Sequence, residues 1–280
     1  MKEKIRSLWT ERSNPRSERL DEASTLEILS LMNHEDVDVP FAVTLVLESL
    51  AHFVDGASLR LKAGGRLFYV GAGTSGRLGI LDASECPPTF GTEPELVQGI
   101  IAGGNPAVFK AVEGAEDKES EGAKALIRKK LSKKDCVVGL SASGRTPFVL
   151  GALKYAKKKK ALTAFVTCNP ESTMLKSCDF GLPLDVGPEI LSGSTRLKCG
   201  TGQKMILNMI STAIMIRLGR VKGNRMIDLD PKNDKLWERA KGLVMEALAV
   251  TEKTAEDLLK KAGGRARQAI ESKMGKFRSK

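Results

Sequence analysis

The chain has 280 residues, 41% hydrophobic and 28% charged, which fits one large α/β domain with helical additions and excludes a disordered or fibrous composition. Its formal charge of +11 suits anionic ligands, but aromatics make up only 5% and the lysine run at 157–160 has none interleaved, so nucleic acid lacks a motif. Five cysteines without a C-x-x-C pair, no apolar signal core and no bilayer-length apolar run point to a reducing, cytoplasmic setting; the two histidines, far from the cysteines, suggest no metal site.

The stretch to Gly65 reads as helical. Ser24-Thr25-Leu26-Glu27 has capping-box spacing ahead of Leu26, Ile28, Leu29, Leu31 and Met32. Pro40 then opens a long amphipathic helix through Val43, Leu47, Leu50, Val54 and Leu61, which Gly64-Gly65 ends. Next, short apolar runs at 67–70, 96–102, 136–140, 162–167 and 180–184 read as strands. Helices are expected at 75–85, 119–131, 147–158 and 200–218. This alternation implies an α/β fold with a doubly wound parallel sheet, whose ligands bind beyond the carboxyl ends of the strands. Beyond Gly219 the tail is helical at 232–250, 251–262 and 265–274, broken at Gly263-Gly264. The organisation is a helical segment over 1–56, the α/β domain over 57–220 and a helical unit over 221–280.

Gly71-Ala72-Gly73-Thr74-Ser75-Gly76 spells G-x-G-x-x-G, a dinucleotide fingerprint. That motif needs a strand before it, a helix after it and an acid at the tip of the next strand. The acid is missing, because the strand at 96–102 runs into Gly103-Gly104-Asn105. Gly73, Thr74 and Ser75 at a helix start suit a terminal phosphate instead. The strand at 136–140 enters Ser141-Ala142-Ser143-Gly144-Arg145-Thr146-Pro147, with Thr146 suited to a cap and Pro147 to the first helical position. Capping accounts for Thr146 but not for Ser141 and Ser143, so the two loops together predict an anion pocket. A third cluster, from Glu189 to Lys198, places Ser192, Thr195, Arg196 and Lys198 at a helix start; it reads equally as a capped surface loop.

G-A-G-T-S-G-R, S-A-S-G-R-T-P and S-G-S-T-R-L-K together resemble the sugar isomerase (SIS) fold of phosphosugar-binding proteins. L-D-A-S-E-C-P-P-T-F-G at 81–91, V-E-G-A-E-D at 112–117 and T-E-R-S-N-P at 10–15 are similar to the N-acetylmuramic acid 6-phosphate etherase family, which is related to the glucokinase regulatory protein. The departures are Gly114, where a serine is expected, and Cys199 and Gly202, where alanines are. The resemblance implies cleavage of a D-lactyl ether on a phosphosugar by elimination and water addition, without a metal or redox cofactor, in a homodimer. It also implies a substrate-binding set of Gly73, Thr74, Ser75, Ser141, Ser143, Arg145, Thr146, Ser192, Thr195, Arg196 and Lys198. A non-catalytic phosphosugar sensor and a phosphosugar isomerase are the competing readings.

Elimination needs a base at C2 and an acid at the ether oxygen. The resemblance implies Glu116 as the base, with Glu113 the fallback, and Glu85 as the acid that later activates water. Glu85 lies roughly 15 Å along a continuous helix from Ser75. Pro87-Pro88 are expected to end the helix that presents Glu85; either that helix ends early and folds back, or Glu85 serves a partner subunit's site.

Overall fold

The computed structural model describes residues 9–228, 231 and 234–277. Ser24 caps helix α1 (Thr25–Asp36). Its hydroxyl accepts from the Glu27 amide, and the Glu27 carboxylate accepts the Ser24 N–H at 2.7 Å, forming the capping box that the spacing predicts. The single long helix expected from Pro40 is two helices. In α2 (Asp38–Thr44) Pro40 is the third residue, and Val46 (φ −108°, ψ 2°) breaks the path before α3 (Leu47–Lys62). The β-branched cluster Val43, Thr44 and Val46 weakens helix at this point. The bend lets Val39 and Val43 of α2 and Leu50, Phe53 and Ala57 of α3 enter one core.

Strand and helix then alternate. β1 (Leu67–Gly71) leads into α4 (Gly73–Phe90), and β2 (Val97–Ile101) into α5 (Pro106–Phe109) and α6 (Glu119–Arg128). β3 (Cys136–Leu140) leads into α7 (Pro147–Lys158), β4 (Leu162–Thr167) into β5 (Phe180–Pro183), and a long loop into α8 (Lys198–Arg217). All pairings among these strands are parallel, in the order β2-β1-β3-β4-β5. Period-two alternation divides the core. Leu67, Tyr69, Val138 and Leu140 join the apolar faces of α3 and α8, whereas Phe68, Val70, Val137 and Phe165 join those of α6 and α7. With helices on both faces, β1 and β3 are buried throughout, which is why they read as unbroken apolar runs. The chain runs outward from β1 to β2, then crosses back to β3. The switch point of this doubly wound sheet therefore lies between the carboxyl ends of β1 and β3.

Pro87 and Pro88 do not terminate α4, contrary to the expectation from sequence. The helix carries both and continues to Phe90; Gly91 (φ +60°) caps it and donates its N–H to the Pro87 carbonyl at 2.9 Å. Two prolines in the last turn remove two amides, but the first turns of the rod are unaffected. Only glycine fits the cap, because a Cβ on Gly91 would lie 2.0 Å from the Asp228 carbonyl oxygen.

Past α8 come the short antiparallel strands β6 (Val221–Lys222) and β7 (Arg225–Met226), then α9 (Asp234–Leu248), α10 (Glu252–Lys261) and α11 (Ala266–Phe277). Residues 232–233 of the first expected tail helix lie outside the described residues. The three helices close on their own core of Ala240, Leu243, Val244, Ala255, Leu259, Ala266, Ala269 and Ile270. Arg267 ties this unit to the α/β body through both oxygens of Asp228, at 2.6 and 2.9 Å. Among the described residues, no single helix is long and apolar enough to cross a membrane.

Candidate active site

Two loops meet at the switch point. After Gly71 the chain enters α4 within two residues, and the glycines permit this. A Cβ on Gly71 would lie 2.7 Å from the Gly76 nitrogen, and one on Gly76 would lie 2.6 Å from the Ile101 side chain. Gly73 adopts φ +52°. Ala72 stands at the N-cap, and no side chain caps the helix. The opening amides of an 18-residue helix, with the positive end of its dipole, are thus presented beside Thr74 and the buried Ser75.

The end of β3 repeats the arrangement with more hydroxyls. The Ser141 hydroxyl is 2.8 Å from that of Thr146 and 3.5 Å from that of Ser143, and it accepts the Gly144 N–H at 3.1 Å. The Ser172 hydroxyl donates to the Gly144 carbonyl, and the Asn169 side-chain amide donates to the Ser143 carbonyl at 3.2 Å. Thr146 occupies the predicted N-cap, but its hydroxyl turns to Ser141 and makes no capping bond. Helix α7 therefore also lacks a side-chain cap, and Arg145 is exposed next to it.

Glu116 is joined to this loop by its backbone: its carbonyl accepts the Phe148 N–H at 2.9 Å, in the first turn of α7. Its side chain is exposed. Glu113 lines a cavity of about 680 Å³ with Gly103, Asn105, Lys118 and Phe148, so it too lies close to the start of α7. His34 and His52 sit on α1 and α3, in neither loop.

The third loop differs. A Cβ on Gly200 would lie 3.8 Å from the Thr74 methyl and 3.9 Å from the Thr195 carbonyl, so the loop does border the glycine loop. Ser192 and Arg196 are exposed and Thr195 is half-buried. The start of α8, however, is closed by its own chain. The Glu189 carboxylate, 1% exposed, accepts the amides of Lys198 and Cys199 at 3.0 Å each. Sequence reasoning did not find this cap, because it stands nine residues before the helix rather than at the N-cap position.

Lys198 requires a correction. From sequence it reads as a phosphate-binding cation, yet it is only 2% exposed and its ammonium is bonded to Glu35. Glu35 also pairs with Arg16 at 2.7 Å and accepts from the Asn14 amide at 2.8 Å. Burial works to raise the Glu35 pKa, but the hydrogen bond and charge of Lys198, aided by Arg16 and Asn14, outweigh it and hold the value below the ordinary one. Asn14 lies in the T-E-R-S-N-P stretch, and the Thr10 carbonyl of that stretch accepts the Gly193 N–H at 3.2 Å. The stretch therefore straps the third loop.

Glu85 lies on the exposed side of α4, roughly 15 Å along the axis from Ser75. Because α4 is unbroken, the fold-back alternative is excluded. Beneath Glu85, between α4 and α8, Asp82 is 3% exposed and accepts from the Ser211 hydroxyl at 3.3 Å and the Lys204 ammonium at 3.5 Å. Burial raises the Asp82 pKa against the pull of Lys204.

This doubly wound sheet, with two loops at its switch point, matches a class, the SIS-domain proteins. The family model for the glucokinase regulatory protein N-terminal SIS domain matches residues 49–157, and that for the SIS domain matches residues 111–212. The fold is similar to a phosphoheptose isomerase from Francisella tularensis (TM-score 0.56, 16% identity, 69% of this chain and 100% of that one). It is also similar to phosphoheptose isomerase GmhA from Neisseria gonorrhoeae (TM-score 0.52, 16% identity, 68% and 98%). Curated relatives are much nearer in sequence. The chain is 50% identical over 266 residues to the N-acetylmuramic acid 6-phosphate etherase of Klebsiella aerogenes, covering 95% of this chain and 89% of that one. It is 52% identical over 261 residues to that of Cutibacterium acnes, covering 93% and 86%. The chain belongs to the N-acetylmuramic acid 6-phosphate etherase family.

Proposed function

We infer that this protein is an N-acetylmuramic acid 6-phosphate etherase, an enzyme that cleaves the D-lactyl ether at C3 of its substrate to give N-acetylglucosamine 6-phosphate and D-lactate. The observation that carries this reading is identity of about half over nearly the whole chain with relatives of that name. The geometry is compatible with it. The uncapped starts of α4 and α7, with Thr74, Ser75, Ser141, Ser143 and Thr146, form a receptor for the 6-phosphate. Arg145, Thr195, Arg196 and Ser192 stand around its rim.

In the open-chain sugar the C2 proton is α to the aldehyde and can be abstracted. Glu116, at the start of α7, takes that proton; the C3–O bond breaks, and Glu85 protonates the departing lactate oxygen. Glu85 then takes a proton from the water that adds at C3, and Glu116 returns its proton to C2. Each carboxyl ends the cycle as it began, with one water consumed.

The length of α4 supports a reading in which the two acids come from different chains. Glu85 is too far from its own phosphate loop to serve it, so we place it in the site of a second copy, in a homodimer with composite sites. A regulator that binds phosphosugars without chemistry would need neither carboxylate. The test is release of D-lactate from N-acetylmuramate 6-phosphate, absent in Glu116→Gln and Glu85→Gln. Mixing Glu85→Gln with Glu116→Gln chains should restore about a quarter of wild-type turnover after random exchange. No lactate from the wild type would overturn the function, and no restoration in the mixture would overturn the shared site.

A further inference from the structure

Lys204 has no role in the chemistry above. It stands on α8 with its side chain across the seam with α4, and 31% of that side chain remains exposed. Its ammonium is 3.5 Å from Asp82 and bonded to the side-chain oxygen of Asn208. Asp82 precedes Glu85 by one helical turn on α4, and Asn208 follows Lys204 by one turn on α8. The thiol of Cys86, the residue after Glu85, reports on both. Burial first and the Asp82 charge second push it up to about 12, while the Lys204 charge opposes the rise and the Glu85 charge adds to it. Through its contact with Asp82, Lys204 reaches α4 one helical turn before Glu85.

The contrast with Lys198 is instructive. Lys198 is sealed in with Glu35 at 2% exposure, whereas Lys204 keeps about a third of its side chain exposed. Three cations near the ends of α4 and α8 have partners of their own. Arg77 donates to the Val108 carbonyl at 2.9 Å, Arg217 faces Asp55 at 3.4 Å, and Arg220 lies 3.6 Å from Asp228.

The substrate class makes a cation necessary here. In a lactyl ether the carboxylate is carried by the carbon bonded to the ether oxygen. An acid that protonates that oxygen must have the carboxylate next to it, and an unpaired carboxylate desolvated against a glutamate is strongly disfavoured. We propose that Lys204 is a specificity-determining residue that receives the lactyl carboxylate in the site to which its own α4 delivers Glu85. Asp82 and Asn208 hold the ammonium in place. This proposal rests on the etherase reading.

Three probes test it: N-acetylmuramate 6-phosphate, the same compound with its lactyl carboxylate converted to the primary amide, and N-acetylglucosamine 6-phosphate, which has no lactyl group. For the first two, kcat/KM is measured, or Ki where turnover is absent; for the third, calorimetric affinity. Wild type should favour acid over amide at least tenfold. Lys204→Met should lose at least tenfold on the acid, chiefly in KM, less than twofold on the amide, and bind the third probe as wild type does. Lys204→Arg should recover part of the preference. An acid preference unchanged in Lys204→Met, or equal losses on all three probes, would overturn the proposal. A wild type that releases no lactate overturns the etherase reading and the proposal with it, whereas lactate release with an unchanged preference overturns the proposal alone.

Discussion

The loop after β3 and the loop before α8 look alike as sequence, since each places several hydroxyls and a cation at the start of a long helix. In the fold they are opposites. The Ser141–Thr146 hydroxyls bond to one another and leave the start of α7 without a side-chain cap. The start of α8 is capped by Glu189, and its cation Lys198 is turned away onto Glu35. A hydroxyl-rich helix entry thus does not identify an anion site by itself. What matters is whether the chain has already provided its own carboxylate. The first kind of loop should respond to mutation in binding and turnover, the second in stability.

The largest effect should come from Glu116→Gln. Its kcat should fall by about 10²–10⁴, with N-acetylglucosamine 6-phosphate affinity within about twofold by calorimetry. A comparable loss of affinity would show that the open loop is held together by Glu116 rather than served by it. Lys198→Met should cost about 3 kcal/mol of unfolding free energy, reduced from a fully orphaned buried charge because Arg16 and Asn14 remain on Glu35. The sign with pH follows from the lowered Glu35 pKa. Its contribution is complete above the ordinary value of 4.5 and is lost as pH falls through the lowered one, so the gap between wild type and variant in urea unfolding should narrow as pH falls below 4.5. Glu189→Ala should cost about 2 kcal/mol, because two amides lose a charged acceptor. A gain in phosphate affinity in this variant would break the contrast, by revealing a third anion site hidden beneath the cap. The smallest effect is expected for Ser75→Ala: about tenfold in KM, with an unchanged melting temperature.

Much of the fold was legible before any coordinates. The strands were readable because a sheet covered on both faces must be apolar at every position, as Cys136–Leu140 is. The two loops at the switch point were readable as helix entries because their turn, cap and hydroxyl residues are contiguous. The features that escaped depend on distant partners. Lys198 meets Glu35 across 163 residues, and no local pattern records it. Pro87 and Pro88 signal a helix end, yet the end falls at Gly91, where the Asp228 backbone approaches too closely for any side chain. The β-branched cluster before Val46 weakens helix only slightly, and the break becomes clear from the core that α2 and α3 share.

The unbroken α4 also has a genetic consequence in the proposed dimer. One helix would then contribute to two sites, binding phosphate at one end in its own chain and delivering an acid near the other end to its partner's. Two alleles damaged at opposite ends of α4 complement each other, because one site of their mixed pair receives only intact parts. An allele damaged at both ends does the reverse: it disables its own site and its partner's, so a single such copy silences every wild-type chain with which it pairs.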